Sequence, residues 1–298
     1  MRIASLLPSA TEIVCALGLE ESLVAVTHEC DYPESVKVRP VVTRSVLDGV
    51  ANSAQIDGHI RELVHQGSSI YTLDADRLAT LHPDLILTQE LCEVCAVSYP
   101  IVERASRRLE SSPRLVSLEP ESLDDVFQNI LSVGRLVDRE RAAKELCDRL
   151  RRRAAAVERR LDGRPRRRVV CLEWVDPPYN CGHWTPELVS IAGGEELLGV
   201  GGQPAHPVQW EQVIEARPEV VVVMACGFSL ERSLGETELA GQQFGRLMAE
   251  LWVVDGNAFF SRPGPRLVDS VEILAGILHP EAMDPPAPTS ARRLPPVR

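Results

Sequence analysis

Short runs of aliphatic and β-branched residues alternate along the chain with longer stretches whose apolar positions recur every three or four residues. Ile3 to Leu7, Leu23 to Thr27 and Leu85 to Thr88 are such runs in the first part; Arg168 to Trp174, Val220 to Met224 and Trp252 to Val254 follow in the last. Each predicts a strand, and strands separated by helical patterns predict largely parallel sheets. Thr11 to Leu17 has the spacing of an amphipathic helix closed by Gly18, and Thr185 to Ala192 repeats it ahead of Gly193-Gly194. From Ser122 a helical pattern continues to about Leu161 and stops at Asp162-Gly163. That is far longer than the average helix of roughly 11–12 residues. Its apolar positions keep no sustained heptad seam, so it predicts a structural strut.

The plan of the first part starts again after the strut. Leu81-His82-Pro83-Asp84-Leu85-Ile86-Leu87 is echoed by Ala216-Arg217-Pro218-Glu219-Val220-Val221-Val222: a helix end, a proline, an acid and a buried strand. The expected division is an α/β lobe over residues 1–120, a linking helix over 121–163 and a second α/β lobe over 164–283. Residues 284–298, with five prolines and few apolar residues, predict a disordered tail.

Composition narrows the function classes. At 44% hydrophobic and 25% charged the chain is an ordinary globular protein, and its net charge of -11 repels nucleic-acid phosphates and anionic membranes. No run approaches the roughly 20 apolar residues of a membrane span, so no membrane insertion is expected. Met1-Arg2 leads directly into the first strand with no secretory leader, which predicts a cytoplasmic protein, or a periplasmic one if the start site is misassigned. Eight scattered cysteines are then expected to be reduced. No Gly-x-Ser-x-Gly elbow, phosphate-cradling glycine loop or His-Glu-x-x-His is present.

Parallel α/β sheets bind ligands outside the carboxyl ends of their strands. The segments there hold Pro8 and Ser9, then His28 to Pro33, then Gln89 to Cys95; in the second half they hold Asp176 to Trp184, Ala225 to Phe228 and Asn257 to Gly264. The chain is only 4% aromatic, yet Tyr32, Trp174, Tyr179, Trp184, Phe228, Phe259 and Phe260 fall in or beside these segments. That gathering predicts a pocket for a large, flat or partly apolar ligand. Pro8, Ser9, Gln89, Glu90 and Arg262 complete the candidate ligand-binding set.

The order of several motifs resembles the periplasmic binding proteins for vitamin B12 and iron-siderophores. They are Ser5-Leu6-Leu7-Pro8-Ser9-Ala10-Thr11-Glu12, Asp31-Tyr32-Pro33, His82-Pro83-Asp84-Leu85-Ile86, Asp176-Pro177-Pro178-Tyr179, Gly193-Gly194-Glu195 and Trp210-Glu211-Gln212-Val213, spread over about residues 2 to 280. The resemblance implies two Rossmann-like lobes joined by one long backbone helix, with a corrinoid such as cobalamin held between them and no enzymatic activity. It implies ring contacts from Tyr32 and Tyr179, with Trp174, Trp184 and Phe260 as further walls. In exported members one acid on each lobe docks on an ABC-transporter permease, and Asp76 and Glu211 hold the matching positions. The chain departs from those members in having no export signal or lipid-anchor cysteine, in an insertion around Val50 to Tyr71, and in its cysteine- and histidine-rich loops. A cytoplasmic corrinoid carrier or salvage protein would keep the binding loops and lose the export signal.

Cys92-Glu93-Val94-Cys95 is the sharpest local motif. It follows a strand, a context shared with redox pairs at helix N-termini. With His28, Cys30, Cys181 and His183 it forms a candidate metal set, since thiolates and imidazoles suit zinc, iron or soft metals. Cys15, Cys147 and Cys171 read as small buried hydrophobes. Two other functions fit the same loops: a thiol- or metal-dependent enzyme, and a protein binding an iron-siderophore, haem or metal.

Overall fold

A computed structural model describes residues 1–47, 52–65, 69–90 and 97–295. In chain order its elements are β1 (Ile3–Ser5), α1 (Pro8–Ala16), β2 (Leu23–Ala25), β3 (Thr43–Ser45), α2 (Ser53–His65), β4 (Tyr71–Leu73), α3 (Ala75–Thr80), β5 (Leu85–Thr88), α4 (Tyr99–Ser106), β6 (Arg114–Ser117), α5 (Leu123–Leu136) and α6 (Glu140–Leu161). They continue with β7 (Arg167–Val175), β8 (Pro178–Asn180), α7 (Thr185–Ile191), β9 (Gly194–Glu196), α8 (Trp210–Glu215), β10 (Val220–Val223), α9 (Leu230–Leu239), α10 (Gly241–Phe244), β11 (Glu250–Val254), α11 (Leu267–Leu278) and β12 (Ala291–Leu294). Among the described residues no helix is long and apolar enough to cross a membrane.

The chain forms two compact units. Unit 1 holds residues 1–51, 55–120 and 125–147; unit 2 holds 52–54, 121–124 and 148–298. Unit 1 contains a parallel sheet in the order β2-β1-β5-β6, with Ile3 beside Leu85 and Ala4 beside Ile86, and β3 pairs antiparallel with β4. Ala4, Leu6, Ala25, Leu78, Ile86 and Val102 form its core. Unit 2 contains the order β12-β11-β10-β7-β8. The nine-residue β7 pairs parallel with β10 on one edge and serves two neighbours on the other: its first half pairs parallel with β9, and its second half pairs antiparallel with β8. All four valines of β10 are buried, as expected of a strand covered on both faces.

The sequence echo is also a structural one. His82 and Arg217 both take a left-handed conformation, with φ of 39° and 49°. After the following proline, Asp84 Oδ2 accepts the Arg2 N–H at 2.7 Å and Glu219 Oε2 accepts the Arg168 N–H at 2.9 Å. In each unit an acid thus holds the entry of the central strand. Gly18 and Gly193, both at positive φ, close the helix after that strand.

Two expectations are corrected. The strut over 121–163 is not one helix: α5 and α6 form an antiparallel hairpin, and the long helix of the fold is the 22-residue α6. Arg151 pairs with Asp124 at 2.8 Å and Cys147 Sγ donates to the Phe127 carbonyl at 3.5 Å, contacts that only a reversed chain brings together. The turn is made by Asp138 at φ 55°, a conformation that Asp tolerates without a Gly or Pro to announce it. Gly134 lets α5 approach α6, because a Cβ there would collide with the Ala143 side chain. Gly134→Ala is therefore expected to cost about 1–3 kcal/mol through overpacking, read as a lower urea midpoint. The second correction concerns the tail. Residues 291–294 form β12, which pairs antiparallel with β11, and Ser290 and Ala291 are buried. Backbone pairing gives this polar segment the order that its side chains do not predict.

Candidate functional site

In unit 1, α1 begins at Pro8, three residues earlier than the apolar pattern predicts, because proline suits the first helical position. Pro8 and Ser9 therefore open a helix directly behind β1, and Ser9 is buried. A shallow pocket at these strand ends is lined by Pro8, Thr27, His28, Glu29 and Tyr71. His28 is fixed there by a 2.7 Å contact from Nδ1 to Thr43 Oγ1, and its ring lies 5.3 Å from that of Tyr71. Its Nε2 is 3.4 Å from Glu29. Cys30 is buried, with Sγ 3.0 Å from Thr11 Oγ1 and 3.2 Å from Thr27 Oγ1. Tyr32 is half exposed. Gln89 is buried, whereas Glu90 is exposed and its N–H donates to Glu119 at 2.7 Å.

Unit 2 sorts the aromatic candidates into two groups. Trp174 and Tyr179 face each other across the β7–β8 ladder and keep part of their surface exposed. Trp174 packs at 4.8 Å on Phe228, and the guanidinium of Arg232 covers the Phe228 ring at 3.8 Å. Phe228, Phe260 and Trp184 are buried. The Trp184 indole N–H is taken by the Phe260 carbonyl at 2.9 Å, and its ring stacks on His183. Trp184 and Phe260 thus tie the start of α7 to the turn after β11. Arg262 is buried beside that turn and donates to Asn257 Oδ1 at 3.0 Å. His183 takes φ 48°, and burial lowers its pKa, partly offset by Glu121, which favours the neutral imidazole.

The members of the expected metal set are distributed as follows. His28 and Cys30 belong to unit 1, Cys181 and His183 to unit 2, and Cys92 and Cys95 lie outside the described residues. Among the described residues the metal-type donors that converge are Cys171, Cys181 and Glu196. Composition did not single out Cys171, Glu173 and Glu196. The available signal was the spacing of Cys171 and Glu173, two apart on one strand and so on one face. The Glu173 carboxyl is pushed up to about 8 by burial, then by the nearby Cys226 and Glu196; hydrogen bonds from the Gly182 N–H, at 3.0 Å, and from Thr185 oppose the shift. Asp76 and Glu211 are exposed in the first turns of α3 and α8, and Glu211 pairs with Arg246 at 3.0 Å.

A family described as periplasmic binding protein matches residues 3–244. A vitamin B12-binding protein of Vibrio cholerae serotype O1 is 24% identical over 284 residues, covering 91% of this chain and 86% of its own length. Among solved structures, the periplasmic vitamin B12 binding protein BtuF of Vibrio cholerae superposes with a TM-score of 0.66 at 24% identity, covering 92% of this chain and 94% of that one. A periplasmic heme binding protein from Pseudomonas aeruginosa superposes with a TM-score of 0.72 at 20% identity, covering 98% and 97%.

Proposed function

Because the chain belongs to the periplasmic binding protein family, we propose that it is a substrate-binding protein whose ligand is a corrinoid, cobalamin foremost. The observation that carries this reading is the likeness to a vitamin B12-binding protein along nine-tenths of the chain. Aromatic rings left partly open within each unit support it: Tyr32 in unit 1, and Trp174 and Tyr179 paired across the β7–β8 ladder in unit 2, offer ring faces and polar edges. His183, whose ring stacks on Trp184 and whose pKa burial lowers, supplies a nitrogen suited to cobalt.

Hydroxocobalamin mixed with the purified protein is expected to co-elute at one per chain on gel filtration. A shift in its visible spectrum that His183→Ala removes would assign that histidine as a cobalt ligand. Tyr179→Ala and Trp174→Ala are each expected to weaken binding about tenfold, roughly 1.4 kcal/mol. Haem is the competing ligand, since a heme-binding protein shares the fold. Stoichiometric haem binding without corrinoid binding would replace the corrinoid reading, and retention of neither would end both.

A further inference from the structure

A polar cluster in the interior of unit 2 takes no part in the ligand reading. Cys171 lies on β7, Cys181 follows β8 and Glu196 ends β9. Leu172 stands opposite Asn180 at the end of the antiparallel β7–β8 ladder, and Cys171 and Cys181 are the next residues beyond that pair on the two segments. Both cysteines are fully buried, and the donor atoms of Cys171, Cys181 and Glu196 lie within 4.8 Å of one another. Directly opposed antiparallel residues have Cα atoms about 4.5–5.5 Å apart, inside the range of about 4.4–6.8 Å that a disulfide spans.

We propose that Cys171 and Cys181 are a redox pair that closes to a disulfide across the β7–β8 hairpin. Three features favour a disulfide over a bound metal. Glu196 is already engaged: its oxygens accept the N–H groups of Cys171, Leu198 and Gly199, each at 3.0 Å. The Gly199 backbone packs on Cys181 Sγ so closely that even a Cβ there would stand 2.5 Å from the sulfur. Burial pushes the Cys171 thiol up to about 12 and raises that of Cys181 as well. Two thiolates and a carboxylate around a divalent ion would leave net negative charge in a closed interior, whereas a disulfide is neutral.

A small-molecule disulfide suffices as oxidant. One protein thiolate attacks a sulfur of the small disulfide and expels one small thiol. The second protein thiol, losing its proton, then displaces the other. Two protein S–H bonds and one small S–S bond become one protein S–S bond and two small thiols. Exchange reaches these buried sulfurs during folding or local opening of the hairpin. The bridge ties β7, which carries Trp174, to the segment that leads into His183 and Trp184. It does not depend on the identity of the ligand.

The test uses the full chain refolded in oxidised and reduced glutathione, then alkylated while denatured, digested and mapped by mass spectrometry. Zinc is measured on protein purified without chelator. The expected result is a linked Cys171–Cys181 peptide and a melting temperature roughly 5 °C above that of the dithiothreitol-treated protein. The Cys171→Ser, Cys181→Ser double variant should show no redox-dependent difference in melting. If that variant does not fold, the linked peptide of the unsubstituted protein decides alone. Alkylation of both cysteines after oxidation, linkage to other cysteines, or stoichiometric zinc shielding both thiols would each overturn the pair.

Discussion

The protein is expected to lose stability as pH rises from about 4.5 to about 8, the interval over which Glu173 is protonated in the folded chain and ionised in the unfolded one. Burial is the main cause, and the neighbouring Cys226 and Glu196 add to it. Because the folded state binds the extra proton, stability is greatest at the acid end of this interval, falls across it and levels off above about pH 8. The size of the shift corresponds to a contribution on the order of 5 kcal/mol. Glu196, also raised by burial, acts in the same direction. Glu173→Gln keeps an oxygen for the Gly182 N–H and removes the titration. Urea midpoints measured across the pH series should coincide for the two proteins near pH 4.5 and diverge towards pH 8, with the variant more stable. Parallel curves would mean that Glu173 carries its charge inside the fold.

Trp184→Ala is expected to destabilise the protein by about 3–5 kcal/mol, the range for truncating a large buried aromatic. Two losses add here. The indole leaves a void where it packed, being only 8% exposed, and the Phe260 carbonyl loses the donor that it held at 2.9 Å. Trp184→Phe retains most of the ring volume and should cost about 1–2 kcal/mol, chiefly for the lost hydrogen bond. Equilibrium urea unfolding separates the three proteins. Equal stability of the alanine variant would mean that the Trp184 indole contributes no packing or hydrogen-bond energy to the fold.

The repeated strand–helix plan was legible because its signals are local. Buried parallel strands need unbroken apolar runs, helices need three-to-four spacing, and Gly18 and Gly193 mark their ends where a positive φ is required. The proline and acid after His82 and Arg217 were legible for the same reason; that each acid holds the entry of the central strand is seen only in the structure. The carboxyl ends of the strands followed from order alone, and with them the segment bearing Tyr32 and the end of β7 at Trp174; Tyr179, read as part of the loop that follows, lies instead on β8.

Three matters were decided only by tertiary structure. The break at Asp138 carries no Gly or Pro, so its turn emerged only when α5 folded back on α6 through the gap at Gly134. The burial of Trp184, Phe228 and Phe260 depended on how α7, α9 and the turn after β11 pack, which strand-end position does not specify. The meeting of Cys171, Cys181 and Glu196 required both a hairpin register and a parallel pairing on the same strand. Sequence determines which residues share a face of one strand; which residues on other strands they meet is set by register and sheet order, which depend on long-range pairing.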